Sequence, residues 1–174
     1  SGATSLTYLN CGANYLTSLD VSNNTALTFL DCNSMGNNSL TSLDVSNNTA
    51  LTYLNCEANP LGSLDVSSNT ALTELNCSNN QLTSLDLSNN TALETFNCSN
   101  NELTYLNMKN GVTDELTTFD ATDNSLTCIE VNADDVAYAT ANWTSVDGEI
   151  DAGVSFSESC AVQGNPDYTY VPDN

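Results

Sequence analysis

The sequence predicts an α/β-type repeat solenoid that is mostly β. Three observations carry that prediction: a leucine pattern recurring about every 21 residues, an alternation of period two inside each copy, and asparagines at fixed positions where the chain leaves a strand. Residues 72–92 read LTELNCSNNQLTSLDLSNNTA, and further copies begin at Leu6, Leu27, Leu51, Leu93 and Leu116. The second copy is longer by three residues around Met35 and Gly36, and the fifth is lengthened near Gly111.

Six columns are apolar. The first is Leu6, Leu27, Leu51, Leu72, Leu93 and Leu116; the second is Leu9, Leu30, Leu54, Leu75, Phe96 and Phe119; the third is Cys11, Cys32, Cys56, Cys77, Cys98 and Ala121. Three more run from Leu16, Leu19 and Val21 to Leu126, Ile129 and Val131. Period two within LNC and again within LDV or LDL reads as two short strands per turn. A single copy cannot bury these side chains; stacking copies closes a continuous core. Two Asn columns complete each copy: Asn14, Asn38, Asn59, Asn80, Asn101 and Asn124, then Asn24, Asn48, Asn69 and Asn90. Their amides suit backbone groups left unpaired at turns, both within a copy and between neighbours.

The pattern LxxLxCxxNxLxxLDLxxNxx, covering residues 6–131, resembles the 21-residue bacterial leucine-rich repeat class called IRREKO and, more distantly, internalin-type repeats. That resemblance implies a right-handed coil with a parallel sheet on the concave face and a short second sheet on the convex face. The expected organisation is a solenoid over 1–131, a C-terminal cap over 132–160, and a linker or the start of a following module over 161–174. DDVAYATANW (134–143) reads as a short amphipathic helix, and Val136, Tyr138, Trp143, Ile150 and Phe156 supply apolar cover for the last turn. This segment is similar to the caps of secreted flavobacterial leucine-rich repeat proteins, and the tail YTYVPDN resembles the opening of another block in such multi-block surface proteins. A chain that opens at Ser1 in mid-pattern, without a signal peptide, reads as part of a longer one.

The 22 acidic residues face a single basic one, Lys109, giving a net charge of −21. Nothing here neutralises phosphates, so nucleic acid and anionic membrane surfaces are poor partners. No apolar run is long enough to span a bilayer. The absence of His removes the commonest acid–base and triad chemistry, and no CxxC-type cluster offers zinc or redox chemistry. We therefore expect no enzyme and no cofactor. Five Cys sit in an inward column and pack as small hydrophobes; parallel in-register side chains point the same way rather than at one another. Cys128 and Cys160 stand apart, and a disulfide between them would tie the cap to the last turn, implying an oxidising, extracellular setting.

Asp20, Asp44, Asp65 and Asp86 form a column in the LD(V/L)S strand. Paired carboxylates can catalyse glycoside hydrolysis, but a repeated row fits turn hydrogen bonding better than one catalytic constellation. Weak cation binding remains open for such a row. The sequons at Asn23 and Asn47 fall out of the repeat consensus, so no function is assigned to them.

The expected function is a secreted or cell-surface adhesion or recognition module that binds a protein or a glycan through the concave sheet. Tyr8, Phe29, Tyr53 and Glu74 point outward there, beside Asn10, Asp31, Asn55 and Asn76. Exposed aromatics next to amides and carboxylates suit sugar-ring stacking or protein hot spots, although stacked aromatics also stabilise cross-strand packing. The alternative is a structural spacer in a large surface protein. Two rows of Thr (Thr7, Thr28, Thr52, Thr73 and Thr17, Thr41, Thr83, Thr104) bring ice binding in as a third reading, against the ordinary preference of Thr for exposed strands.

Overall fold

The computed structural model describes residues 3–34 and 37–160. The insertion at Met35 and Gly36 and the tail 161–174 lie outside the described residues. Each element is a three-residue strand: β1 Tyr8–Asn10, β2 Phe29–Asp31, β3 Tyr53–Asn55, β4 Glu74–Asn76, β5 Ser84–Asp86, β6 Thr95–Asn97, β7 Tyr105–Asn107, β8 Thr118–Asp120, β9 Cys128–Glu130 and β10 Ser155–Ser157. A 3-10 turn at Ala133–Asp135 leads into the one α-helix of the described residues, α1, at Val136–Asn142.

The strands form two parallel sheets. The first runs β1-β2-β3-β4-β6-β8, and the second runs β5-β7-β9-β10. Register in the first sheet follows the repeat without slippage, so Leu9, Leu30, Leu54, Leu75, Phe96 and Phe119 line up one above another. All six are strand centres facing inward, and from Leu30 on they are buried. The architecture is a mostly-β parallel solenoid whose core runs between the two faces.

The structure departs from the expectation of two strands per turn. The segments around Leu19, Leu43 and Leu64 remain inward-facing but form no strand ladder. Single backbone bonds, Ser39 N–H to Leu16 C=O and Gln81 N–H to Leu61 C=O, join turns at the entrance to the second face. Beyond them the ladder continues only from β5 onward.

Asparagine holds the turns together. Asn80 Nδ2 donates to the carbonyls of Cys56, Cys77 and Ser78, while its Oδ1 accepts the N–H of Leu61 in the preceding turn. Asn59, Asn101 and Asn124 repeat this arrangement. The second column joins turns through its Nδ2 donors alone: Asn69 Nδ2 donates to the Val45 and Asn48 carbonyls. The residue before five of the six Asn of the first column is left-handed: Ala13, Ala58, Asn79, Asn100 and Asp123 have φ between 53° and 59°, and Asn38 in the lengthened second copy is the exception. Asn and Asp tolerate that region, whereas Ala carries a steric cost.

The cap continues the second sheet by one strand, β10 on β9. Val136, Ala139 and Trp143 face the solenoid from one stripe of α1 and its C-terminal end. Trp143 stacks on Phe119 at 3.9 Å and meets Phe156 edge-on at 5.7 Å. Tyr138, expected in the cap core, lies off that stripe and is 36% exposed; Ala139 occupies the buried position instead. Asp151 accepts the N–H groups of Asp123 and Asn124, and the Cys128–Cys160 disulfide joins the cap to the last turn across a sequence separation of 32.

Lys109 has a structural use the sequence did not indicate. Its ammonium lies 2.9 Å from Glu130 Oε2 and donates to the Glu158 carbonyl at 3.0 Å. Glu130 Oε1 accepts the N–H of Cys160, so one ion pair anchors the end of the cap. The hydrogen bond to Glu130 raises the Lys109 ammonium above its ordinary value. A raised cation stabilises the fold below its unfolded value near pH 10.4 and loses that contribution as pH climbs through the folded value. The stability gap between the native chain and Lys109→Met is expected to hold steady from neutral pH upward and to shrink above about pH 10. Thermal melts across that range check this; a gap independent of pH would show that the pair contributes only packing.

Candidate recognition face

The outward side of the first sheet is built by strand alternation. With Leu30 or Leu54 facing in, the flanking residues of the same strand face out. Parallel register then places Tyr8 opposite Phe29 and Phe29 opposite Tyr53. Their rings stack face to face, with centroids 4.3 and 4.2 Å apart and planes within 11° and 7°. Both faces of Phe29 are therefore covered by its neighbours. Tyr8 is 57% exposed, Phe29 presents mainly its edge, and Tyr53, half-buried, has one face covered by Phe29. Burial, followed by the charge of Asp31, pushes the Tyr53 phenol up. Below this ladder the row continues with Glu74, exposed, then Thr95 and Thr118.

The second outward row is committed to strand exits. Asn10 Oδ1 accepts the N–H of Gly12, Asp31 Oδ1 that of Asn33, Asn55 Oδ1 that of Glu57, and Asn76 Oδ1 both the N–H and O–H of Ser78. Further atoms are also taken, since Asn10 Nδ2 donates to Asp31 Oδ2 and Asn76 Nδ2 to Glu57 Oε2. The row closes turns, and only part of its polar capacity faces outward. Glu57, not singled out from sequence, joins this face. Its signal was positional: it follows the column cysteine, where other copies carry Gly12, Asn33, Ser78 or Ser99.

The Asp column on the second face does the same work. Asp20 and Asp44 each accept an N–H and an O–H from the serine two residues on, and Asp65 and Asp86 accept the N–H of Ser67 and Ser88. Those serine hydrogen bonds hold the Asp20, Asp44 and Asp65 carboxyls below the usual carboxylate range. Among the described residues, no group of three or more His, Cys, Asp or Glu is gathered as a metal ion would need. Thr28, Thr52 and Thr73 donate their hydroxyls to the carbonyl of the preceding Thr, so this row bolts turns together and gives ice binding no particular support.

The five column cysteines are free thiols. Burial raises the thiols of Cys32, Cys56, Cys77 and Cys98 far above their ordinary value, and Cys11 is raised less deeply in the core. Burial disfavours the thiolate, which is the form that acts as nucleophile or metal ligand. The column is packing.

The fold is of the leucine-rich-repeat type. Over 74% of its length the chain is similar to the functional domain of InlJ from Listeria monocytogenes, described as including a cysteine ladder, at 38% identity and a TM-score of 0.53. It is similar over 71% to an internalin, InlF, of the same organism, at 30% identity and a TM-score of 0.62. A leucine-rich repeat protein of Leptospira interrogans matches over 85% with a TM-score of 0.66 at 22% identity, and covers 43% of that chain. The chain spans 35% and 37% of the two internalins, about a third of their length. Residues 7–31 match the LVIVD repeat family, which is consistent with a repeat protein. No curated protein matches by sequence. Among the described residues no helix is long and apolar enough to cross a membrane.

Proposed function

We propose that this chain is a non-catalytic recognition module, secreted or at a cell surface, that binds a protein partner through the outward face of its first sheet. The observation that carries the reading is the stacked ladder of Tyr8, Phe29 and Tyr53. Three rings locked together on a rigid sheet offer contact area at small entropic cost, the property that makes aromatic side chains interface hot spots. Sugar-ring stacking needs open ring faces, and the ladder covers most of its own, so a protein is favoured over a glycan. A spacer needs a uniform surface, whereas this face changes from aromatic to Glu74, Thr95 and Thr118 along the stack. The internalin neighbours and a disulfide suited to an oxidising compartment support the location. The reading takes 1–131 as solenoid, 132–160 as cap and 161–174 as linker or the start of another module, in a multi-block protein of the 21-residue repeat type.

The test is affinity capture from cell-surface extracts beside a glycan array, using the native chain and Tyr8→Ala, Phe29→Ala and Tyr53→Ala. Tyr53→Ala is expected to weaken the captured protein about tenfold, as hot-spot truncations do, while Thr118→Ala leaves it unchanged. Equal capture by all three aromatic variants overturns the proposed face.

A further inference from the structure

We propose that the second face carries a separate cleft for a basic side chain, arginine above all, donated by a protein partner. The place is where the second ladder ends. β5 pairs with β7 on one side; on the other it runs beside the segment around Leu64 without strand pairing. Between them opens a cleft of about 280 Å³, with Asp65 and Ser67 on one wall, Asp86 and Ser88 on the other, and Leu64, Leu85 and Tyr105 also lining it.

Its chemistry is specific. Leu64 and Leu85 are nearly buried, leaving apolar surface at the base, and the Tyr105 ring is held by its hydroxyl donating to Glu130 Oε2 at 3.3 Å. Asp65 Oδ1 and Asp86 Oδ1 each accept a serine N–H at 2.9 Å, and Asp86 Oδ1 also accepts Asn107 Nδ2 at 3.1 Å. The Ser67 side chain also holds the Asp65 carboxyl, and neither carboxylate is paired with a cation among the described residues, so both keep acceptor capacity for a donor entering the cleft. The chain has no Arg and one Lys, and Lys109 is engaged by Glu130 and the Glu158 carbonyl, so this chain supplies no cation of its own to the cleft.

A long side chain with an apolar stem and a cationic head matches both parts, the stem along leucine and tyrosine and the head between carboxylates. The planar, multi-donor guanidinium satisfies two acceptors at once, which a point-charged ammonium does less well. A calcium ion fits poorly, since it wants six or more oxygens and an apolar base supplies none. Asp20 and Asp44 belong to the same column and are not among the residues that line this cleft, which makes them internal controls. The inference stands independently of the first-sheet reading.

The probe is N-acetyl-arginine amide, titrated into the whole chain and followed by backbone amide NMR. Saturable shifts are expected in residues 64–67 and 84–89, and little change near Asp20 and Asp44. N-acetyl-citrulline amide, similar in shape but uncharged, is expected to give none. Asp65→Asn with Asp86→Asn is expected to weaken binding about tenfold, the sum of two partly exposed ion pairs, and Tyr105→Ala to weaken it through the lost wall. Shifts spread evenly over the Asp column, equal binding of the citrulline amide, or calcium saturating the same residues at lower concentration each overturn the proposal; the last would make it a metal site.

Discussion

Leu75→Ala is expected to destabilise the chain by about 2–5 kcal/mol, the range for truncating a buried leucine. Leu75 is 1% exposed at the centre of β4, with Leu54 and Phe96 directly in register on either side. Those neighbours are pinned by strand ladders and cannot slide together to close the void. The architecture adds a second consequence. In a solenoid each turn contacts only its neighbours, so weakening turn four weakens the coupling between the turns before and after it. Denaturant melts followed by circular dichroism should show an earlier midpoint, with a shallower transition if the two halves begin to separate. A loss below about 1 kcal/mol would mean that this column is not core. Leu9→Ala, at a half-buried position in the first turn, is expected to cost less.

The fold was legible because its information is redundant. The apolar columns, read with a period of two, place Leu30, Leu54, Leu75 and Phe96 inward and Phe29, Tyr53 and Glu74 outward, and the sheet keeps that alternation. The Asn column was legible for the same reason, since one amide per turn meets one set of stranded backbone groups. What could not be read is which of the equivalent segments on the second face pair: the LDV segments of the first three turns match the pattern of β5, yet form no ladder.

The candidate face divides in the same way. That Tyr8, Phe29 and Tyr53 share a surface follows from register, but that their rings lie flat on one another, leaving edges outward, is a rotamer outcome of close stacking. Asn10, Asp31, Asn55 and Asn76 looked like free recognition groups because sequence reveals direction and not occupancy. The turn N–H two residues later claims them first. Lys109 was opaque for a different reason: its partner Glu130 is a turn away, and the Glu158 carbonyl it also holds lies 49 residues on.

Cutting the Cys128–Cys160 bond is expected to cost about 3–4 kcal/mol in the loop-entropy account of a closure this long. Cys128 occupies the outward position that Ser18, Ser42, Ser63 and Ser84 hold in earlier turns, and β10 lies directly against β9, bringing the Cα atoms of Cys128 and Cys160 to 5.8 Å. The loop it closes contains the whole of α1 and Trp143, whose stack on Phe119 forms the apolar lid over turn six. Without the bond the lid is still held by that stack, by Asp151 on two backbone N–H groups and by the Lys109–Glu130 pair. Cys128→Ser should therefore lower the melting temperature while leaving the circular dichroism of the sheets largely intact at low temperature. Adding Lys109→Met to it should cost more than the two single losses added together, because Glu130 accepts from both Lys109 and Cys160 N–H and either tie keeps the cap end in place for the other. Peptide mapping without reduction checks the pairing itself. A bridge from Cys77 to Cys56 or Cys98 instead would put a covalent bond in the core column and overturn both the pairing and the packing role of the free thiols.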